Sequence, residues 1–180
     1  AAMALGEESI FFKKMGPTII SFWRSFNANV MASPLYKTLV NEHGIEEGEK
    51  IATKLLKELV KSNDAIGLAS NQIGINKRVC VVNVMEDPLI FINPTIIDLD
   101  DEFYTEESCL SFPNKFIKTK RYNYVTVECD NLGKVMFGPT GHVEDVHNER
   151  QRLQLLESVC VQHEIDHLDG ITMFDRSYQI

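Results

Sequence analysis

From Glu46 to Ser62, apolar residues recur three and four positions apart. Ile51, Ala52, Leu55, Leu56, Leu59 and Val60 form one stripe, with Lys and Glu at most other positions. That period predicts an amphipathic helix with one face in a core. The pattern then changes. A glycine-bearing turn, Gly67-Leu68-Ala69-Ser70-Asn71-Gln72-Ile73-Gly74, leads into short β-branched and aromatic runs. Strands are predicted at Arg78–Val84, Leu89–Ile92, Thr95–Leu99, Phe103–Thr105, Tyr122–Cys129 and Lys134–Phe137. Glu86-Asp87-Pro88 and Asn93-Pro94 punctuate these runs, and Asp130-Asn131-Leu132-Gly133 reads as a hairpin turn.

Gly138 to Asn148 has no apolar period and reads as a polar loop. Asn148 with Gln151 three residues on resembles a capping box opening a final helix. Leu156, Val159, Cys160, His163 and His167 share one face of that helix, and Gly170 is placed to end it. The expected fold is α+β: short antiparallel strands and turns packed around a central C-terminal helix, with an earlier amphipathic helix. Residues 1–45 form an N-terminal segment with little pattern. Ile19-Ile20-Ser21-Phe22-Trp23 reads as a strand or buried turn, and Ala1–Ala4 is set aside as a processed end or expression remnant. Residues 46–180 are read as a single domain.

Composition narrows the class. Apolar residues make up 44% and charged residues 24%, which suits a soluble domain with its own core. The apolar runs are far short of a membrane span, and no secretory signal is visible. A net charge of −8 argues against a broad phosphate-binding face, so nucleic-acid binding is not expected. The basic run Lys115, Lys118, Lys120 and Arg121 reads as a solvated strand edge. Four cysteines are scattered without a C-x-x-C pair. Cys80, Cys129 and Cys160 read as small buried hydrophobes, in a reducing compartment without disulfides.

The chemistry is concentrated in Gln162-His163-Glu164-Ile165-Asp166-His167-Leu168, which contains H-E-x-x-H. Residues four apart share a helix face, so His163 and His167 can grip one metal ion. Glu164 adjoins the pair, where it can act on a metal-bound water. A catalytic metal usually takes three protein ligands. Downstream, Asp175 is an awkward donor just past a helix end. Upstream, Cys109 in Glu106-Glu107-Ser108-Cys109-Leu110-Ser111 is the best candidate, and His142 and His147 are rivals that spacing leaves open. A Cys/His/His set with one open position suits Zn²⁺ or Fe²⁺.

Taken together, these segments resemble the peptide deformylases. The glycine-rich turn ending in Gln reads Ala65-Ile66-Gly67-Leu68-Ala69-Ser70-Asn71-Gln72. The acid-Gly-Cys-Leu-Ser box reads Glu107-Ser108-Cys109-Leu110-Ser111, and Gln162 to Gly170 matches the third motif in full. Ile92-Asn93-Pro94 also recurs between the first two. The likeness covers about residues 46–137 and 153–175. It implies that Cys109, His163 and His167 bind the metal and that Glu164 is general base and then general acid. Gln72, through its side-chain amide, and Leu110, through its backbone N–H, would hold the oxyanion. Ile66, Gly67, Leu156, Val159 and Cys160 would line the pocket for the substrate's methionine side chain. The implied metal is Fe²⁺, with Zn²⁺, Ni²⁺ or Co²⁺ able to substitute. The implied reaction removes formate from N-formylmethionyl nascent peptides of bacterial-type ribosomes.

The resemblance has departures. The family usually has Gly at Ala65, Ala at Ser70, Pro or another small residue at Asn71, and Gly at Ser108. Residues 138–152 look like an insertion, and many members continue into a C-terminal helix that can contact the ribosome. Transient ribosome proximity without such a helix, and no membrane partner, is therefore the expectation. The expected location is a bacterial-type cytoplasm, or an organelle interior after removal of a transit peptide. Two other readings stand beside this one: a zinc peptidase cleaving internal bonds, and a metal-stabilised binding module without turnover.

Overall fold

The predicted amphipathic helix is present as α1, Glu46–Leu59. Its stripe goes inward: Ile51, Ala52, Leu55, Leu56 and Leu59 are buried. Three acidic residues in its first turn, Glu46, Glu47 and Glu49, and Lys57 in the last suit the helix dipole. The expected extension to Ser62 is instead a set of tight turns, with the Val60, Lys61 and Ser62 amides bonded to the carbonyls of Leu56, Glu58 and Leu59. Val60 consequently leaves the stripe and is exposed.

The computed structural model describes residues 2–4, 46–109, 111–141 and 148–178. Among these residues seven strands form one sheet in the order β4-β3-β2-β1-β5-β6-β7, with every neighbouring pair antiparallel. They are β1 (Ala2–Ala4), β2 (Ala65–Ala69), β3 (Val79–Val82), β4 (Leu89–Ile92), β5 (Thr95–Cys109), β6 (Phe112–Cys129) and β7 (Gly133–Phe137). Ala2–Ala4 are not a dispensable remnant, because they supply the middle strand. The glycine-bearing turn also needs correction. Its first half is the buried strand β2, and only Ser70–Ile73 turns, as a short 3₁₀ helix.

Two helices explain why β2 and β3 are apolar without alternation. Ala65, Leu68, Val79 and Val81 pack with α1 in one cluster. Ile66, Ala69, Cys80 and Val82 pack in another with α2, Glu149–Leu168, from the opposite side. Strands covered on both faces need apolar residues at every position. The Asn148 cap of α2 forms as expected, its Oδ1 accepting the Gln151 N–H at 2.8 Å. Gly170, at φ +73°, follows the end of the helix and bonds back to the His167 carbonyl.

The separate strands predicted between Thr95 and Cys129 merge into two long ones. β5 runs 15 residues and β6 runs 18, paired along their length. The Lys115–Arg121 run is therefore not a solvated edge throughout. Thr119, Arg121, Asn123, Val125, Val127 and Cys129 alternate inward along β6, which carries Arg121 into the core. The Asp130–Gly133 turn joins β6 to β7 as predicted. Its Asn131 is buried and clamps β4, accepting from Ile92 N and donating to Ile90 O. All four cysteines are free and buried. Burial pushes the Cys80 and Cys160 thiols up, and the nearby Glu164 charge adds to it, which fits their role as packing residues.

Candidate metal centre

The inward face of α2 carries the predicted pair one turn apart. His163 Nε2 and His167 Nε2 lie 2.9 Å apart, both residues buried. Cys109, at the end of β5, brings its Sγ to 3.6 Å from His167 Nε2. The strand register shifts immediately before it: Ser108 pairs with Phe116, but Cys109 pairs with Phe112. All three donor atoms lie within 4.8 Å of one another. Tetrahedral Zn–S and Zn–N bonds require roughly 3.5 Å between S and N and roughly 3.3 Å between two N atoms. The Cys109 separation matches, and the histidine pair needs to open by a few tenths of an ångström. The set fits a divalent ion.

The rival donors fare differently. Asp175 is occupied elsewhere, accepting from the Thr172 amide and hydroxyl at 2.8 and 2.9 Å. His142 and His147 lie outside the described residues, as does Leu110.

Behind the donors stands a buried charge network. His163 Nδ1 meets Glu107 Oε1 at 2.8 Å. Arg121 donates to both Glu107 oxygens, at 2.7 and 3.0 Å, and the Thr119 hydroxyl adds a short bond. Arg121 also reaches Asp166, which takes two further bonds from Arg176 at 3.0 and 2.7 Å. Burial alone would raise the Glu107 carboxyl; the His163 hydrogen bond and the Arg121 charge overcome it and hold it at about 2. Glu107 therefore stays ionised and fixes the His163 ring with Nε2 toward the other donors. Burial works to lower His163, but hydrogen bonds with Cys109 and Glu107 raise it to about 10. Burial and the His163 charge push His167 down to about 3. These opposite shifts favour positive charge on His163 over His167, and a metal ion binding neutral imidazole must displace that proton.

Glu164 lies over Gly67. A Cβ at Gly67 would come within 2.5 Å of Glu164 Oε1 and 2.8 Å of Cys160 Sγ. Gln72 sits in the turn after β2, its Oε1 accepting the Ala69 N–H at 2.9 Å. That bond turns the amide so that Nε2 is buried with no hydrogen-bond partner among the described residues. A buried donor left without a partner is costly unless a ligand takes it. Asn71, an exposed departure from the family pattern, ties the same turn to α2 by donating to the His167 carbonyl. Ile66, Val159 and Cys160 belong to the core cluster against α2, with Leu156 partly buried beside them.

Glu107 and Asp166 lie within the motifs without an evident role in the sequence, and Arg121 lies in a basic run that reads as solvated; the structure buries all three behind the donors. The available signal was phase: Arg121 falls on the same alternate positions as Val125, Val127 and Cys129.

A sequence profile of the polypeptide deformylase family matches residues 34–180. A peptide deformylase of Dictyoglomus thermophilum is 30% identical over 150 residues, covering 83% of this chain and 90% of that protein. One from Desulfitobacterium hafniense is 38% identical over 128 residues, covering 71% and 77%. A class I type b peptide deformylase from Acinetobacter baumannii, solved with Met-Ala-Ser bound, is similar with TM-score 0.57 and 25% identity. That match covers 76% of this chain and 84% of the other. A Synechococcus elongatus peptide deformylase in complex with actinonin gives TM-score 0.58 at 29% identity, covering 74% and 67%. With its buried Cys/His/His set inside the matched region, this chain belongs to the peptide deformylase family.

Proposed function

We propose that this chain hydrolyses the formamide of N-formylmethionyl nascent peptides, with Cys109, His163 and His167 as the metal ligands. The convergence of these three buried donor atoms within 4.8 Å carries the reading. The proposed native ion is Fe²⁺, with Zn²⁺, Ni²⁺ or Co²⁺ able to replace it in the same ligand set. When bound, the ion supplies Lewis acidity that makes water nucleophilic near neutral pH.

The protein's own groups do the rest. Glu164 takes a proton from the attacking water as its oxygen bonds to the formyl carbon. Gln72 Nε2, buried without a partner among the described residues, donates to the oxygen that gains negative charge. Leu110, outside the described residues, is assigned the second donation through its backbone N–H. Glu164 then returns the proton to the departing nitrogen, the C–N bond breaks, and formate and a free amino terminus result. The methionine side chain goes to the apolar wall of Ile66, Leu156, Val159 and Cys160, with Gly67 at its edge. The proposed setting is a bacterial-type cytoplasm or an organelle interior, where formylated chains are made. Among the described residues no helix is long and apolar enough to cross a membrane.

The test is formate release from formyl-Met-Ala-Ser by Fe²⁺- or Ni²⁺-loaded protein, beside acetyl-Met-Ala-Ser and a Glu164→Gln variant. Formate release from wild type alone is expected, with the variant keeping its metal. Full turnover by the variant removes Glu164 from the mechanism, and no release by metal-loaded wild type rejects the activity.

A further inference from the structure

The middle strand of the sheet comes from the far end of the chain. β1 lies antiparallel to β2, with Ala2 opposite Leu68, Met3 opposite Gly67 and Ala4 opposite Ala65. On its other side Met3 pairs with Cys109 and Ala4 with Ser108 of β5. Strands flanking a common neighbour stand roughly 9.5 Å apart, twice the spacing of a pair. β2 and β5 are thus the walls of a slot one strand wide, and α2 also packs against β1. One wall ends in the metal ligand Cys109. The other carries Gly67, over which Glu164 lies.

Such a slot offers backbone donors and acceptors from both sides to any extended segment, which is recognition by strand addition. A formylated peptide must present its first residue beside Cys109 and Glu164, because the scissile bond is on that residue's nitrogen. Met3 is the residue level with both Gly67 and Cys109. Its neighbours Ala2 and Ala4 are small.

We propose that Ala2–Ala4 is a built-in competitor for the peptide slot between β2 and β5, with Met3 in the register of the substrate's methionine. This rests on the deformylase reading for the identity of the competing ligand. The segment carries an ordinary peptide bond before Met3 in place of a formamide, so it fills the slot without serving as the formylated substrate. Tethering gives it an effective concentration on the order of millimolar, enough to raise the apparent KM even when its intrinsic affinity is weak. Substrate binds only when β1 leaves.

The experiment compares Ni²⁺-loaded full chain, a variant lacking residues 1–4, and Met3→Pro. The proline removes a backbone donor from a central strand without shortening the chain. Binding of Met-Ala-Ser is followed by calorimetry, and hydrogen exchange reads the amides of residues 2–4 in the full chain. The expected result is about tenfold tighter peptide binding by both variants, with residues 2–4 becoming fast-exchanging when peptide is added to the full chain. If the shortened chain fails to fold, Met3→Pro and the exchange measurement decide. Equal or weaker binding by the variants overturns the proposal, as does protection of residues 2–4 that survives saturation with peptide. Formate release is assayed separately, so a protein that binds competitively yet releases no formate rejects the deformylase reading and leaves the competition standing.

Discussion

Gly67 has room for a hydrogen and nothing larger. An added Cβ would sit 2.5 Å from Glu164 Oε1, so the carboxylate must move. A displacement near 1 Å in a reacting group can cost about 10²-fold in rate. Gly67→Ala is therefore expected to lower kcat by about that factor while keeping one metal per chain; turnover within twofold of wild type contradicts the placement of Glu164. Glu157, two turns earlier on α2, shows a different effect of burial. Its carboxyl is raised from 4.5 to about 7 by desolvation. The folded protein thus holds a proton there that the unfolded chain releases, and stability from this group falls as pH rises from 4.5 to 7. Glu157→Gln removes the penalty. Denaturant titrations should show the variant gaining on wild type between pH 5 and pH 8, and a constant difference across that range rejects the burial argument.

At the scale of elements, β6 links the sheet to the metal helix. Its inward alternation places Arg121 against Glu107 of β5 and Asp166 of α2, so one guanidinium joins three elements. Removing one partner of a buried ion pair strands the other, at roughly 3–5 kcal/mol. Arg121→Met is expected to lose stability of that order. It should also weaken metal binding by about 10–100-fold, because Glu107 no longer holds the His163 ring as firmly. Chelator competition and urea unfolding measure the two effects, and unchanged metal affinity in a folded variant removes the network from ligand control. The strand phase that buries Arg121 is legible in the sequence, although its charge points toward solvent. The lengths of β5 and β6 were not legible. Asp98, Asp100 and Asp101 interrupt the apolar pattern, yet the pairing continues past them from β6. Hydrogen bonding to a neighbour, and not side-chain pattern, carries an exposed strand through such a stretch.

For the whole molecule, the ligand set links structure to chemical stability. Loaded with Fe²⁺, the Cys109, His163 and His167 set would hold a thiolate and an oxidisable ion together. Activity of the Fe²⁺ form is expected to decay in air, while Ni²⁺ and Zn²⁺ forms persist. Equal decay of all three points to protein damage away from the metal.

The α+β class, both helices, the β3 and β4 positions, the Asp130–Gly133 turn and the His163/His167 pair were readable from the chain alone. Each depends on residues within a few positions of one another, where helix period, strand chemistry and capping act locally. The third donor was readable only as a preference. Cys109 and His167 are 58 positions apart, and only the meeting of β5 with α2 brings their atoms to 3.6 Å. Tertiary structure also decided the burial of Arg121, the Gln72 Nε2 left without a partner among the described residues, and the seat of Ala2–Ala4 between β2 and β5. Pairing between distant segments is set by register and by competition for a common core, and no window of neighbouring residues contains that information.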